Sequence, residues 1–319
     1  MVDRACTRTI PLSLLRVLLV AEEAAGVQAL RLVERSGHAL VGVATASVHD
    51  DRRGATVAQL AGAAGIPVLT TEAIRDPRFA SWIDANGVGL LLNVHSLVVL
   101  PAAVVGAPAI GSFNLHPGPL PRYAGLNTPS WAIFNGETEH GATVHWMDAG
   151  VDTGAIAYEA RLPIRDDDTG LTLSVRCVQE GLTLVEDLLA TAARDPAAIP
   201  RRPQEGERHY FGRAAPCNGR LEWTWPARRI VNFVRAADFL PFASPWNHPV
   251  SVLAGREVGI VKATRTAEPP DEEPGVVGTP KDGGVTVSAA DEWVLVRRVL
   301  VEGVYRDAAD VVRAGDRLS

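Results

Sequence analysis

The chain has 319 residues, of which 47% are apolar and 21% charged, and a formal net charge of −6. That length suits one large domain and one small one, and the acidic balance excludes a general attraction to nucleic acid or anionic membranes. Three cysteines, Cys6, Cys177 and Cys217, are too scattered for a disulfide framework or a zinc spacing, which fits a reducing cytoplasm.

The apolar run 12–21 is too short to span a bilayer. Arg4 and Arg8 before it resemble the start of a signal peptide, but Glu22 and Glu23 stand where a small-residue cleavage site belongs. Its Leu/Val content reads instead as a buried parallel strand over Arg16–Ala21. A helix over 26–36, a strand over 38–46, a helix over 56–64 and a short strand over 66–69 follow. Next come a helix over 77–86 and strands over 88–94 and 110–116. This rhythm predicts an α/β fold: a Rossmann-like, doubly wound, mostly parallel sheet with helices on both faces. Such sheets hold ligands beyond the carboxyl ends of their strands.

Farther on, a helix is expected over 128–135, strands over 142–147 and 155–162, and a long helix over 171–193. The Pro/Arg/Glu-rich segment 199–208 reads as a linker. After it come one helix over 226–237 and short strands over 250–253, 258–262, 285–288 and 293–299, a small β-rich, barrel-like pattern. The expected division is a catalytic domain over 1–205 and a C-terminal domain over 206–319. No Gly-x-Gly-x-x-Gly follows the first strand, where Ala21-Glu22-Glu23 stands, which argues against a nicotinamide cofactor. A P-loop and a His-Glu-x-x-His are also missing, and no metal is expected.

Residues 111–154 carry the chemistry. Asn114 and His116 sit two apart at the end of an apolar run, so on a strand they share one face. Asp152 follows in a Gly-bounded loop. An amide donor, an imidazole and a carboxylate that converge suit acyl transfer through an oxyanion. Singly, each has a plainer reading: His116 as a satisfied polar group, Asn114 as a turn cap, Asp152 as a turn residue. His145 reads as structural. His95 is balanced between a ligand contact and a loop hydrogen bond. Ser96 and Ser112 have no base beside them and are not read as nucleophiles. The aromatics Trp223, Trp225, Phe233, Phe239, Phe242 and Trp246 suit packing better than base stacking, and Arg228, Arg229 and Arg235 suit a solvated helix face.

Asn114-Leu115-His116-Pro117, continued by Pro119-Leu120-Pro121 and closed by Asp152-Thr153-Gly154, resembles the formyltransferases that use 10-formyltetrahydrofolate. Relatives include methionyl-tRNA, glycinamide ribonucleotide and sugar-nucleotide N-formyltransferases. The likeness also takes in Thr128-Pro129-Ser130-Trp131-Ala132-Ile133, Asn135-Gly136-Glu137, Tyr210-Phe211-Gly212-Arg213, Trp223 and Trp225-Pro226-Ala227. It implies direct attack of an acceptor amine on the formyl carbon. His116, as an imidazolium, and Asn114 would hydrogen-bond the formyl oxygen; Asp152 would keep His116 charged and help remove the ammonium proton. It further implies that the folate lies between two loops, with Leu97, Val98, Val99 and Leu100 on one side and Asp148, Ala149 and Val151 on the other.

The acceptor is less legible. Charges after residue 205 nearly balance, where transfer RNA wants a basic surface. Tyr123-Ala124-Gly125-Leu126-Asn127 replaces the Arg-Gly pair of tRNA and many sugar enzymes. The Gly-Leu-Asn-x-Pro-Ser-Trp-Ala-Ile form looks more like formyltransferases of specialised peptide or siderophore pathways. That likeness implies a small amine acceptor, an amino acid or hydroxylamine, free or carrier-bound. Methionyl-tRNA, a sugar-nucleotide amine, hydrolysis of the formyl-folate and a non-catalytic folate-binding module are the alternatives.

Overall fold

A computed structural model describes residues 13–46 and 54–319; Arg4, Cys6, Arg8 and the start of the run at 12 lie outside the described residues. In chain order the elements are β1 (Arg16–Ala21), α1 (Glu23–Arg35), β2 (Ala39–Thr45), α2 (Val57–Ala63), β3 (Val68–Thr70), α3 (Thr71–Ile74), α4 (Phe79–Ala85), β4 (Leu90–Val94), α5 (Ala102–Gly106) and β5 (Gly111–His116). They continue with β6 (Ala124–Gly125), α6 (Thr128–Phe134), β7 (Glu139–Trp146), β8 (Ile156–Pro163), α7 (Gly170–Arg194), β9 (Tyr210–Phe211) and α8 (Ala227–Ala236). The last strands are β10 (Val250–Leu253), β11 (Arg256–Arg265), β12 (Val277–Lys281), β13 (Gly284–Ser288), β14 (Trp293–Val301) and β15 (Val304–Asp307).

The chain parts into two compact units. One holds the chain up to Ala124 with Gly141–Arg161 and Val178–His209; the other holds Gly125–His140, Leu162–Cys177 and Tyr210–Ser319. The first unit carries a seven-stranded sheet in the order β3-β2-β1-β4-β5-β7-β8. Strands β1 to β5 run parallel, and β7 joins β5 antiparallel. Alternation along β1 shows why helices are needed on both faces. Val17, Leu19 and Ala21 point into a cluster with Ala29, Leu30 and Val33 of α1, Val57 and Ala61 of α2, and Val185 and Leu189 of α7. Leu18 and Val20 point the other way, to Ile74, Phe79, Ile83 and Val104 of α3 to α5.

Residues 199–208 are no free linker. Ile156 and Arg202 exchange backbone hydrogen bonds of 2.7 and 3.0 Å, and the Trp146 Nε1 donates to the Pro200 carbonyl at 2.8 Å. The short helix α5, missed in the sequence, follows Pro101 and buries Val104 and Val105.

The second unit carries an antiparallel sheet in the order β10-β11-β14-β13-β12, with β15 also on β14. The chain end joins its two edges, since Leu318 bridges Leu253 beside β10 and Arg317 bridges Val276 beside β12. That closure makes the sheet barrel-like. Strand β12 escapes the sequence pattern because Pro280 interrupts it; it is an edge strand with a register shift at that proline. Asp282 and Gly283, both at positive φ, form the two-residue hairpin turn into β13. Trp223, Phe233 and Trp246 are buried, so they are core, while Phe242 is exposed. Among the described residues no helix is long and apolar enough to cross a membrane.

Strand β5 has two chemically distinct faces. Phe113 and Leu115 enter the core, which leaves Asn114 and His116 on the other side. Phe113 is fully buried, its ring 4.3 Å from that of Trp146 at the end of β7. Phe113→Ala should destabilise the chain by about 3–5 kcal/mol in urea unfolding, and a loss below about 1 kcal/mol would show that β5 is not anchored by this ring.

Candidate active site

Asn114 and His116 lie at the carboxyl end of β5, and Asp152 comes from the loop between β7 and β8. The three meet. The Asn114 amide nitrogen donates to the Asp152 Oδ1 at 3.3 Å, and the His116 Nδ1 lies 3.6 Å from the Asp152 Oδ2. His116 is 3% exposed and Asp152 8%, whereas Asn114 is only partly buried and is the most accessible of the three.

The Asp152 loop is built to hold that carboxylate. Asp152 itself has φ +53, a left-handed conformation that costs a residue with a side chain of order 1 kcal/mol or more. Gln204 compensates: its side-chain nitrogen donates to the carbonyls of Asp152 and Gly154 at 3.0 and 2.7 Å, and Arg208 donates to the Val151 carbonyl at 2.8 Å. Asp148 accepts from the Gly150 N–H and the Thr153 hydroxyl, so it closes its own loop. At Gly154 a Cβ would sit 1.8 Å from the Trp146 carbonyl oxygen, so only glycine fits there.

The His116 ring is fixed at both nitrogens. Its Nε2 donates to the Tyr123 carbonyl at 2.6 Å, since a carbonyl can only accept, and its Nδ1 faces Asp152. Burial pushes the imidazole below the usual histidine range, against the opposing pull of Asp152 and of the Tyr123 hydrogen bond. That direction favours a neutral resting ring. Beneath it the Thr143 hydroxyl donates to the Gly118 carbonyl at 2.7 Å and ties β7 to the proline-rich turn.

Two further side chains belong to the site. His145 of β7 lies opposite Asn114, accepts from its amide nitrogen at Nε2 over 3.0 Å, and stands 3.4 Å from Asp152 Oδ1. Asn93 of β4 lies on the other side of Asn114 and donates to its Oδ1 at 2.9 Å. The sequence read His145 as structural and passed over Asn93; the usable signal was a polar residue near the end of each neighbouring strand.

The two candidate folate loops differ. Along 97–100 the side chains alternate: Leu97 and Val99 are exposed, while Val98 and Leu100 join the apolar cluster with Leu18 and Val20. In the other loop Asp148, Ala149 and Val151 are all exposed. His95, at φ +54, has Nδ1 3.9 Å from a Glu23 carboxylate oxygen, and its buried Nε2 has no partner among the described residues. Ser96 donates to the Glu22 carboxylate at a long 3.4 Å, and Ser112 to the Val105 carbonyl at 2.7 Å. In the second unit Arg235 donates to the carbonyls of Arg165, Asp166 and Asp168, and Arg229 lies over the rings of Trp225 and Phe134. Arg228 and Arg229 are exposed, as a solvated face expects, and Arg235 is the one that is partly buried. Among the described residues no group of three or more His, Cys, Asp or Glu is placed to hold a metal.

Comparison with known proteins gives the family. Residues 16–187 match the family described as formyl transferase, and residues 213–310 match the formyl transferase C-terminal domain. A methionyl-tRNA formyltransferase of Synechococcus sp. (strain JA-3-3Ab) is 34% identical over 266 residues, 80% of each chain. One from Symbiobacterium thermophilum is 31% identical over 315 residues, 95% of this chain and 93% of that one. Among solved structures, the fold is similar to that of an N-formyltransferase from Helicobacter canadensis in complex with folinic acid and dTDP-3-aminofucose. The TM-score is 0.64 at 18% identity, over 89% of this chain and 99% of that one. HypX from Aquifex aeolicus in complex with tetrahydrofolic acid gives a TM-score of 0.59 at 19% identity, over 94% of this chain and 47% of that one. The chain belongs to the formyltransferase family.

The charge state of His116 has a consequence for stability. Its native pKa lies below the ordinary value, so the unfolded chain takes up this proton first as the pH falls. Stability is then lost from about pH 6.5 downward. His116→Gln removes that contribution, so its Tm should fall less than that of the parent between pH 7.5 and 5. Equal slopes would show that the ring is not buried neutral.

Proposed function

We propose that this formyltransferase moves the formyl group of 10-formyltetrahydrofolate onto an amine, and that the amine belongs to a small acceptor. The observation that carries the transfer chemistry is the meeting of Asn114, His116 and Asp152 within 3.6 Å, with the amide the most open of the three. We divide the work between residues 1–205, which hold the donor and the catalytic groups, and the β-rich residues 206–319.

A formyl-folate offers a flat ring with apolar faces and a hydrogen-bonding edge, and the residues present fit it. Leu97 and Val99 present apolar side chains outward, and the buried Asn93 Oδ1 and His95 Nε2 on the same stretch lack partners among the described residues. The backbone of Leu97, Val98, Val99 and Leu100 and that of Asp148, Ala149 and Val151 would take the ring edge. The similar Helicobacter canadensis and Aquifex aeolicus proteins are complexed with folinic acid and tetrahydrofolic acid, which supports this choice of donor. When bound, the donor supplies a formyl carbonyl activated for attack by an amine.

The protein's own contribution is then specific. The Asn114 N–H that rests on Asp152 Oδ1 at the longer 3.3 Å would turn to the carbonyl oxygen as negative charge develops on it, while the other stays on His145. The attacking nitrogen must shed a proton, and the neutral His116 Nδ1 faces the Asp152 carboxylate with no proton between them. A proton placed there forms an imidazolium–carboxylate pair, and the positive ring stabilises the same developing charge; as the bond between the formyl carbon and the folate nitrogen breaks, that proton would pass to the leaving nitrogen and restore the neutral ring. The Tyr123 carbonyl holds Nε2 throughout and keeps the ring in one orientation.

Two features support a small acceptor such as an amino acid or hydroxylamine, free or carrier-bound. Tyr123-Ala124-Gly125-Leu126-Asn127 carries no cation. In the second unit Arg220, Lys262, Arg265, Lys281 and Arg317 each face a carboxylate, and the charges after residue 205 nearly balance, which gives no net attraction for phosphates. Methionyl-tRNA is the second reading, favoured by the 31% identity with the Symbiobacterium thermophilum enzyme over 95% of the chain. The three scattered cysteines, which make no disulfide framework in sequence, support a cytoplasmic setting.

Mass spectrometry of one panel decides between them: 10-formyltetrahydrofolate with amino acids, hydroxylamines, a dTDP-amino sugar, methionyl-tRNA, and no acceptor. We expect a one-formyl mass gain on an amino acid or hydroxylamine; gain on methionyl-tRNA alone, or formate release without an amine, would overturn the acceptor. Asn114→Ala should lower kcat about 100- to 1,000-fold, the usual effect of removing one oxyanion donor. Asp152→Asn should also lose most turnover while its Tm stays close to the parent's.

A further inference from the structure

We infer that Asn93 is a positioning residue for formyl transfer, which sets the direction in which the Asn114 amide points. The inference rests on the functional reading above, in which Asn114 is the hydrogen-bond donor to the carbonyl oxygen. An asparagine amide is nearly symmetric in shape, and turning it over replaces a donor by an acceptor. At Asn114 that inversion would aim a carbonyl oxygen at the developing negative charge. Something must therefore forbid it.

The forbidding arrangement is a row of polar side chains across three adjacent strands. Asn93 on β4 is in register with Asn114 on β5, and Asn114 with His145 on β7. The order of donors and acceptors along the row follows from its far end. The Trp146 carbonyl, 2.7 Å from His145 Nδ1, can only accept, so Nδ1 carries the hydrogen. In the neutral ring Nε2 then accepts, and it does so from the Asn114 amide nitrogen at 3.0 Å. Asn114 Oδ1 is thereby left facing Asn93, whose amide nitrogen donates to it at 2.9 Å and also reaches the Ser96 carbonyl at 3.4 Å. Asn93 is 6% exposed, so no solvent replaces a lost donor cheaply. If Asn114 inverted, its amide nitrogen would meet the Asn93 donor and its oxygen would meet the lone pair of His145. Both ends of the row oppose the inversion, and Asn93 opposes it without touching the reacting atoms.

Asn93→Asp keeps the shape and turns the donor into an acceptor; Asn93→Leu removes the donor without adding charge. Each is compared with the parent, Asn114→Ala and the double variant Asn93→Asp/Asn114→Ala, with 10-formyltetrahydrofolate and the panel member turned over fastest. We expect kcat to fall about 10- to 100-fold in Asn93→Asp and Asn93→Leu while the KM for the donor changes less than threefold. The double variant should be no slower than Asn114→Ala alone, because Asn93 acts through Asn114. Single-variant rates within twofold of the parent, or losses that multiply in the double variant, would overturn the assignment. If Asn114→Ala itself kept full activity, the functional reading would fall instead. A measurement independent of turnover uses the nitrogen–nitrogen coupling across the Asn114 Nδ2–His145 Nε2 hydrogen bond by NMR. It should be present in the parent and absent in Asn93→Asp and Asn93→Leu; its absence in the parent or its persistence in both variants also sinks the proposal.

Discussion

The site depends on one constraint: β5 is paired on both sides, parallel to β4 and antiparallel to β7. Side chains at matched positions on adjacent strands share a face and stand a few ångströms apart. Asn93, Asn114 and His145 are therefore neighbours by register, with no dependence on loop conformation. A slip of one residue in either pairing would send the polar member into the core and an apolar one into the site. The fully buried Phe113 and Leu115 on the opposite face make such a slip costly. The apolar packing of one face thus fixes the chemistry of the other.

The loops add what strands cannot supply. A carboxylate on the sheet itself would be held at a fixed distance from its neighbours. Asp152, on a left-handed residue pinned by Gln204 and Arg208, reaches both Asn114 and His116. Gly154 lets that loop lie directly against the Trp146 carbonyl. The turn 117–124 contributes through its backbone, where the Tyr123 carbonyl orients His116 and the Gly118 carbonyl takes the Thr143 hydroxyl.

This division explains what the sequence revealed. Asn114 and His116 were legible because the two-residue spacing on a strand is local. The parallel strands were legible as continuous apolar runs, and α7 as a long amphipathic period. Asp152 was legible only through the likeness of its Asp-Thr-Gly to a known family, since an aspartate between glycines reads equally as a turn. Asn93 and His145 were not legible as partners, because their meeting with Asn114 depends on strand register across 21 and 31 residues of chain. The resemblance placed Leu97, Val98, Val99 and Leu100 together on one side of the folate, but their alternation sends Val98 and Leu100 inward and leaves Leu97 and Val99 to face outward. In the second unit Pro280 hid an edge strand, and the closing role of Arg317 and Leu318 lies in residues with no strand pattern of their own.

Burial of His116 reconciles two demands that conflict in an open site. A proton acceptor must be neutral before reaction, and an oxyanion stabiliser is best charged during it. Asp152 alone would favour the imidazolium from the start and leave nowhere for the amine's proton. Desolvation opposes that pull and keeps the resting ring neutral. In the proposed reaction the attraction of Asp152 would become effective when a proton arrives, as negative charge grows on the carbonyl oxygen beside Asn114. The same low-dielectric surroundings that depress the resting pKa also strengthen the ion pair once it forms. A histidine placed equally close to Asp152 but open to water would already hold its proton over much of the range below neutrality. It would have little left to gain in the transition state.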